Sequence, residues 1–278
     1  MFDRLTNGWR LSMQALRVVK TDKKLMLFPL FSGVAMLLVM ASFALPIIGT
    51  DRGQELINGL DASDPIPYLV AFLFYAVTSF VIVFFNTALI GCALKRFKGE
   101  QPTLGDGFRI ALSRLPQITA WALLSAVVGT ILRVIESRSE LAGRIVAGFL
   151  GMAWSVVSYF AIPVLAVEGV GPVTALKRSA GIMRRTWGES LGAEFGTGII
   201  GLVLGLVAII PAIVGVASGT TAIMAIGIGI TVVLMIGVAL VTSTLNAVVI
   251  GVLYHYATEG QAPGDFDSTT LDHAFHQR

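Results

Sequence analysis

From Phe195 to Thr258 the chain carries no Asp, Glu, Lys or Arg. As a single helix rising about 1.5 Å per residue, this run would reach roughly 96 Å, three times a bilayer core of about 30 Å. It must fold back on itself. Its most turn-like cluster is Ser218-Gly219-Thr220-Thr221, where glycine and hydroxyl residues interrupt the aliphatic pattern. One membrane span is therefore expected on each side of it. The whole chain agrees with that reading: 55% of its 278 residues are hydrophobic and 13% charged. Soluble domains carry about 25% charged residues, and half that share cannot cover a water-facing surface of this size.

Four earlier runs have the length and polarity of spans: Leu25–Ile48, Ile66–Leu94, Leu115–Leu132 and Ile145–Val167. The first begins too late, and runs too long, for the roughly 7–15-residue core of a cleaved signal peptide, so it is read as a retained helix. The expected fold is all-α and polytopic, with six transmembrane helices and both termini on one side. The cations orient it. Sixteen lysines and arginines fall in the segments on the side of the termini; four, Arg52, Arg133, Arg138 and Arg144, fall in the opposite segments. Positive charge marks the cytoplasmic side, so both termini are expected there, in a bacterial inner membrane. The net charge of +3 follows from this topology and gives no reason to expect a nucleic-acid partner.

The segment GPVTALKRSAGIMRRTWGES, Gly171 to Ser190, is basic yet lies between two apolar runs. Val173, Leu176, Ala180, Met183 and Trp187 recur at helical spacing, with Lys177, Arg178, Arg184 and Arg185 largely opposite them. Pro172 suits a first helical position. This is the pattern of a helix lying on a membrane surface, its cations toward anionic headgroups. It recurs with Trp9, Arg10 and Arg17 near the N-terminus, and with Phe108 and Arg109 between spans two and three. GWRLSMQALRVV and GFRIALSRLPQI share glycine, aromatic, arginine and aliphatic residues in one order. The chain therefore reads as a single membrane domain built from three parallel units, 1–95, 102–168 and 171–258, each a surface helix followed by two spans. Residues 259–278 form a cytoplasmic tail. Span two (FNTALIGCALK) and span six (LNAVVIGVLYH) echo each other about Asn86 and Asn246; span four lacks the echo.

Asn86 and Asn246 are amides within the spans. They either line a polar path or hydrogen-bond neighbouring helices, a contribution of roughly 0.6–2 kcal/mol each. Glu168 and Glu194 flank the third surface helix; pairing with its cations is the structural alternative to a cation- or proton-linked gate. Gly192/Gly196 and Gly201/Gly205 are GxxxG pairs, and Gly215/Gly219 is a third, whose spacing lets backbones approach, within the chain or between subunits. His273 and His276 lack the further ligands that would fix a metal geometry. Cys92 is the single cysteine, which excludes an internal disulfide. HExxH and phosphate-loop motifs do not occur in the sequence. No catalytic residue, metal or cofactor is expected, and the chain is read as a non-enzyme.

The stretches FDRLTNGWRLSMQALRVVKTDKKLMLFPLFSG and YFAIPVLAVEGVGPVTALKRSAGIMRRTWG resemble a family of uncharacterised bacterial membrane proteins, known as a domain of unknown function. The resemblance rests on Lys24-Leu25, Phe28-Pro29-Leu30, Pro163, Glu168, Leu176-Lys177-Arg178-Ser179 and Thr186-Trp187-Gly188. It implies a bacterial inner-membrane location and carries no activity. The expected function is a non-catalytic membrane module that oligomerises or docks a membrane-protein partner, in contact with anionic lipids. The alternative is a channel or transporter for an ion or small solute.

Overall fold

The computed structural model describes residues 2–51, 54, 65–138, 141–264 and 266. Among them the regular structure is helical, with no strand. Six segments are long and apolar enough to cross a membrane: Lys23–Ile48, Ile66–Phe97, Leu115–Ser137, Ala142–Glu168, Ser190–Ala217 and Thr221–Glu259. Their outward faces are aliphatic. Leu37, Leu69, Phe149, Leu202 and Val233 are each more than half exposed. Each Å² of apolar surface left in water forfeits about 25 cal/mol, so faces of this kind belong against lipid. The chain is a multi-pass membrane protein.

In chain order the helices are α1 (Phe2–Thr21), a short 3-10 turn (Lys23–Met26), α2 (Leu27–Ile48), α3 (Ile66–Phe97), α4 (Leu104–Ser113), α5 (Leu115–Arg138), α6 (Ala142–Ser158), α7 (Ala161–Glu168), α8 (Pro172–Ala208), α9 (Ile210–Ala217) and α10 (Thr221–Glu259). The turn expected at residues 218–221 falls between α9 and α10, with Gly219 at φ +68°. Two spans differ from the unbroken helices expected. Span four divides at Tyr159–Phe160, one turn before Pro163. Proline has no N–H to continue the ladder, and its ring crowds the carbonyl four residues back. Span five divides at Ile209, just before Pro211, for the same reason. The third surface helix runs on into span five as α8, but Thr186 (φ −113°, ψ 16°) departs from helical geometry and separates the two.

Two compact units emerge: Met1–Pro29, Ala93–Pro102 and Arg184–Arg278 form the first; Leu30–Cys92 and Thr103–Met183 form the second. In the first unit α1 lies against span five. A Cβ on Gly8 would stand 2.1 Å from the Gly192 carbonyl carbon, and one on Gly196 would stand 2.7 Å from Ser12 Oγ. Ser12 Oγ reaches the carbonyls of Gly8 (3.0 Å) and Ala193 (3.1 Å). The core of this unit is the last third of α10, where Leu245, Val248, Val249, Val252 and Leu253 are fully buried. Asp22 and Arg96 pair at 3.3 Å. Phe97 packs against His255 and against Phe266, with ring centres 6.1 and 5.7 Å away.

The second unit gathers Phe31, Phe84, Phe85 and Phe108 in one aromatic cluster. Trp121 of α5 stacks on Trp154 of α6 at 5.7 Å. Thr103 and Asp106 form a reciprocal capping box at the start of α4, satisfying donors that the helix itself leaves free. Arg52, Asp64, Asp265 and residues 267–278, with Asp267, Asp272, His273, His276 and Arg278, lie outside the described residues.

Candidate functional site

The three surface helices repeat one arrangement. Gly8-Trp9-Arg10-Leu11-Ser12, Gly107-Phe108-Arg109-Ile110-Ala111 and Ala175-Leu176-Lys177-Arg178-Ser179 share an order: small, apolar, cation, variable, small. In each, the two small residues, four apart and so on one face, are buried, and the cation is exposed. The buried face therefore includes these small residues, together with Leu11, Val18 and Val19 in α1 and Met183 in the third helix, and other large apolar residues flank it. Trp9, Leu112, Val173 and Trp187 are 38%, 55%, 59% and 47% exposed, beside the exposed cations Arg10, Arg17, Arg109, Lys177, Arg178, Arg184 and Arg185. Each helix thus has three sectors: one against protein, one apolar and uncovered, one cationic. The face reading from sequence separated apolar from basic and did not resolve the small-residue sector.

Glu168 ends α7 and pairs with Arg178 of α8. The same helix end receives Arg114, whose Nε and Nη2 donate to the carbonyls of Ala166 and Val167, both at 3.1 Å. Gln117 Nε2 donates to Gly169 O at 3.0 Å. A guanidinium at a C-terminus meets both the unpaired carbonyls and the negative end of the helix dipole. Gly169 sits at φ +62°, and a Cβ there would meet Arg114 Nη1 at 2.1 Å. In the sequence Arg114 counted only as a cation on one side. Its clue was the stop signal, Gly169 with Pro172 three residues on, which marks carbonyls in need of a donor.

Glu194 behaves otherwise. No ion pair of its carboxylate occurs among the described residues. It faces a cleft of about 490 Å³ between α8 and α10, lined also by Thr197, Gly201, Thr242, Ser243 and Asn246, with Gly198 at its wall. Two of the polar residues singled out in the sequence, Glu194 and Asn246, thus meet in one cleft of the first unit. Asn86 belongs to the second unit and is half-buried beside the fully buried Thr87 and Ala88. Asn246 Oδ1 is buried with no hydrogen-bond donor among the described residues. Thr242 Oγ1 donates to Val238 O at 2.8 Å, which leaves its lone pairs free to accept. The glycines have distinct places. Gly192 and Gly196 accommodate α1, Gly201 lies 3.0 Å from Thr242 Cγ2 measured from an added Cβ, and a Cβ on Gly205 would touch nothing within 4 Å.

A family model described as a family of unknown function (DUF6159) matches residues 65–264. No curated protein matches the chain.

Proposed function

The chain belongs to that family of unknown function, and we propose that it serves as a non-catalytic docking module of the bacterial inner membrane. In this reading both termini and all three basic helices are cytoplasmic, following the bias of the cations. Six spans hold the helices at the surface, and their free sectors engage anionic lipid together with a second copy or a membrane-protein partner. The observation that supports it is the threefold use of small residues for anchoring. Gly8 and Ser12 seat α1 on span five and Ser179 bonds the Phe160 N–H of span four, while Trp9, Leu112, Val173 and Trp187 stay uncovered. A helix needed only for packing would bury its largest apolar residues, because burial stabilises in proportion to area. Here Trp9 and Trp187 stay out, as interfacial aromatics do, and each cation near anionic headgroups contributes about 1 kcal/mol.

Mass measurement of intact complexes released from native membranes tests the proposal. The wild-type chain should carry a second copy or one defined partner. Arg184→Glu with Arg185→Glu should lower the occupancy of that species at least about tenfold, the equivalent of 1.4 kcal/mol. A wild-type monomer bearing lipid alone would refute docking. The cleft lined by Glu194 and Asn246 favours a second reading, a channel or transporter. Solute flux in proteoliposomes that disappears in Glu194→Gln would put that reading first.

A further inference from the structure

The cleft between α8 and α10 has a one-sided chemistry. Glu194 brings a carboxylate, Asn246 an amide, and Thr197, Thr242 and Ser243 hydroxyl oxygens. Among the described residues no Lys, Arg or His lines it. Among the described residues the Asn246 amide nitrogen and the hydroxyl hydrogens are its side-chain donors, and the Thr242 hydroxyl is already committed to Val238 O. An acceptor-rich site with one net negative charge selects a ligand that is cationic and donates hydrogen bonds. A carboxylate in a membrane span needs a counter-charge, and among the described residues this one has none.

The cleft is an open groove of about 490 Å³, which admits an organic group as readily as a hydrated ion. Its width comes from glycine. A Cβ on Gly198 would meet nothing within 4 Å, so that stretch of wall is backbone alone. Its level follows from α1, since Ser12 Oγ lies 3.3 Å from Thr197 Oγ1. The cleft therefore begins where α1 rests, near the start of span five at Ser190.

We propose that this cleft binds a primary ammonium group, with Glu194 as counter-ion and the Thr242 and Ser243 hydroxyls as hydrogen-bond acceptors. An ammonium has three N–H donors, enough for the carboxylate and two hydroxyl oxygens. A quaternary ammonium has none and loses the last two contacts. The ammonium arrives on a lipid headgroup or on a small soluble amine. The proposal stands on the first unit alone and is independent of docking.

Calorimetric titration of the purified full chain in neutral detergent tests it. The probes are dihexanoyl-phosphatidylethanolamine, ethanolamine and, as the comparison, dihexanoyl-phosphatidylcholine. Binding of either primary amine, weakened at least about tenfold by Glu194→Gln and to a smaller extent by Ser243→Ala, is the expected result. Gly198→Leu, which fills the cleft and removes no polar atom, should abolish it. Binding of the lipid alone assigns the ammonium to the bilayer; equal binding of ethanolamine assigns it to solution. The proposal is overturned if neither amine binds, if the choline lipid binds as tightly, or if Glu194→Gln binds undiminished while circular dichroism shows it folded.

Discussion

Gly8 and Gly205 have the same side chain and opposite roles. Gly8 sits where an added Cβ would overlap the backbone of Gly192 and Ala193, at 2.1 to 2.6 Å. Backbone cannot swing aside as a flexible side chain does, so Gly8→Ala must push α1 off span five. Overpacking of this kind costs about 1–3 kcal/mol, and the detergent-solubilised variant should unfold at a clearly lower temperature than wild type. Gly205 meets nothing within 4 Å, and alanine in a helix interior is favoured over glycine by roughly 0.5–1 kcal/mol. Gly205→Ala should therefore match or exceed wild-type stability. Equal destabilisation by the two changes would show that the glycine contacts do not hold α1. The GxxxG spacing marked where close approach was possible; it could not tell Gly196, which α1 covers, from Gly205, which faces open space.

Among the elements, the break between α6 and α7 shows how a helix interruption survives in an apolar setting. Pro163 ends the ladder, and the Phe160 N–H, which would otherwise have lost its partner, donates to Ser179 Oγ at 2.9 Å. Both groups are fully buried, where an unpaired donor costs about 1–3 kcal/mol. Ser179→Ala should lose that amount, and Ser179→Thr should keep part of the bond if its extra methyl is tolerated. Thermal unfolding followed by circular dichroism reads both. A stability change below about 0.5 kcal/mol, the range of ordinary surface substitutions, would mean that this bond does not support the break. The same small position in α1 holds Ser12, whose hydroxyl also bonds to backbone, while α4 has Ala111 there. Sequence periodicity located all three helices but read spans four and five as unbroken. The acceptor offered by Ser179 comes from 19 residues away, beyond any local pattern.

For the molecule as a whole, the distribution of cations makes the sharpest prediction. With Cys92 replaced by serine, single cysteines at Arg17, Arg109 and Arg184 should react with a membrane-impermeant maleimide from one side of the membrane only. One at Arg133 should react from the opposite side. A split among the first three would end the parallel arrangement of surface helices and the docking proposal with it. The number and limits of the spans were legible in the amino-acid sequence, because partition between lipid and water depends on composition summed over about 20 residues. The small-residue sectors, the cap that Arg114 places on α7, and the seat of Phe266 on Phe97 were not legible. They depend on which backbone comes within about 3 Å of which side chain. The two glutamates illustrate the difference. Glu168 and Glu194 looked alike in sequence, each a carboxylate at the margin of a span beside basic residues. Tertiary packing gave one Arg178 and turned the other toward Asn246 and an open cleft, because a charge takes its partner from the helix packed beside it, which a linear pattern does not specify.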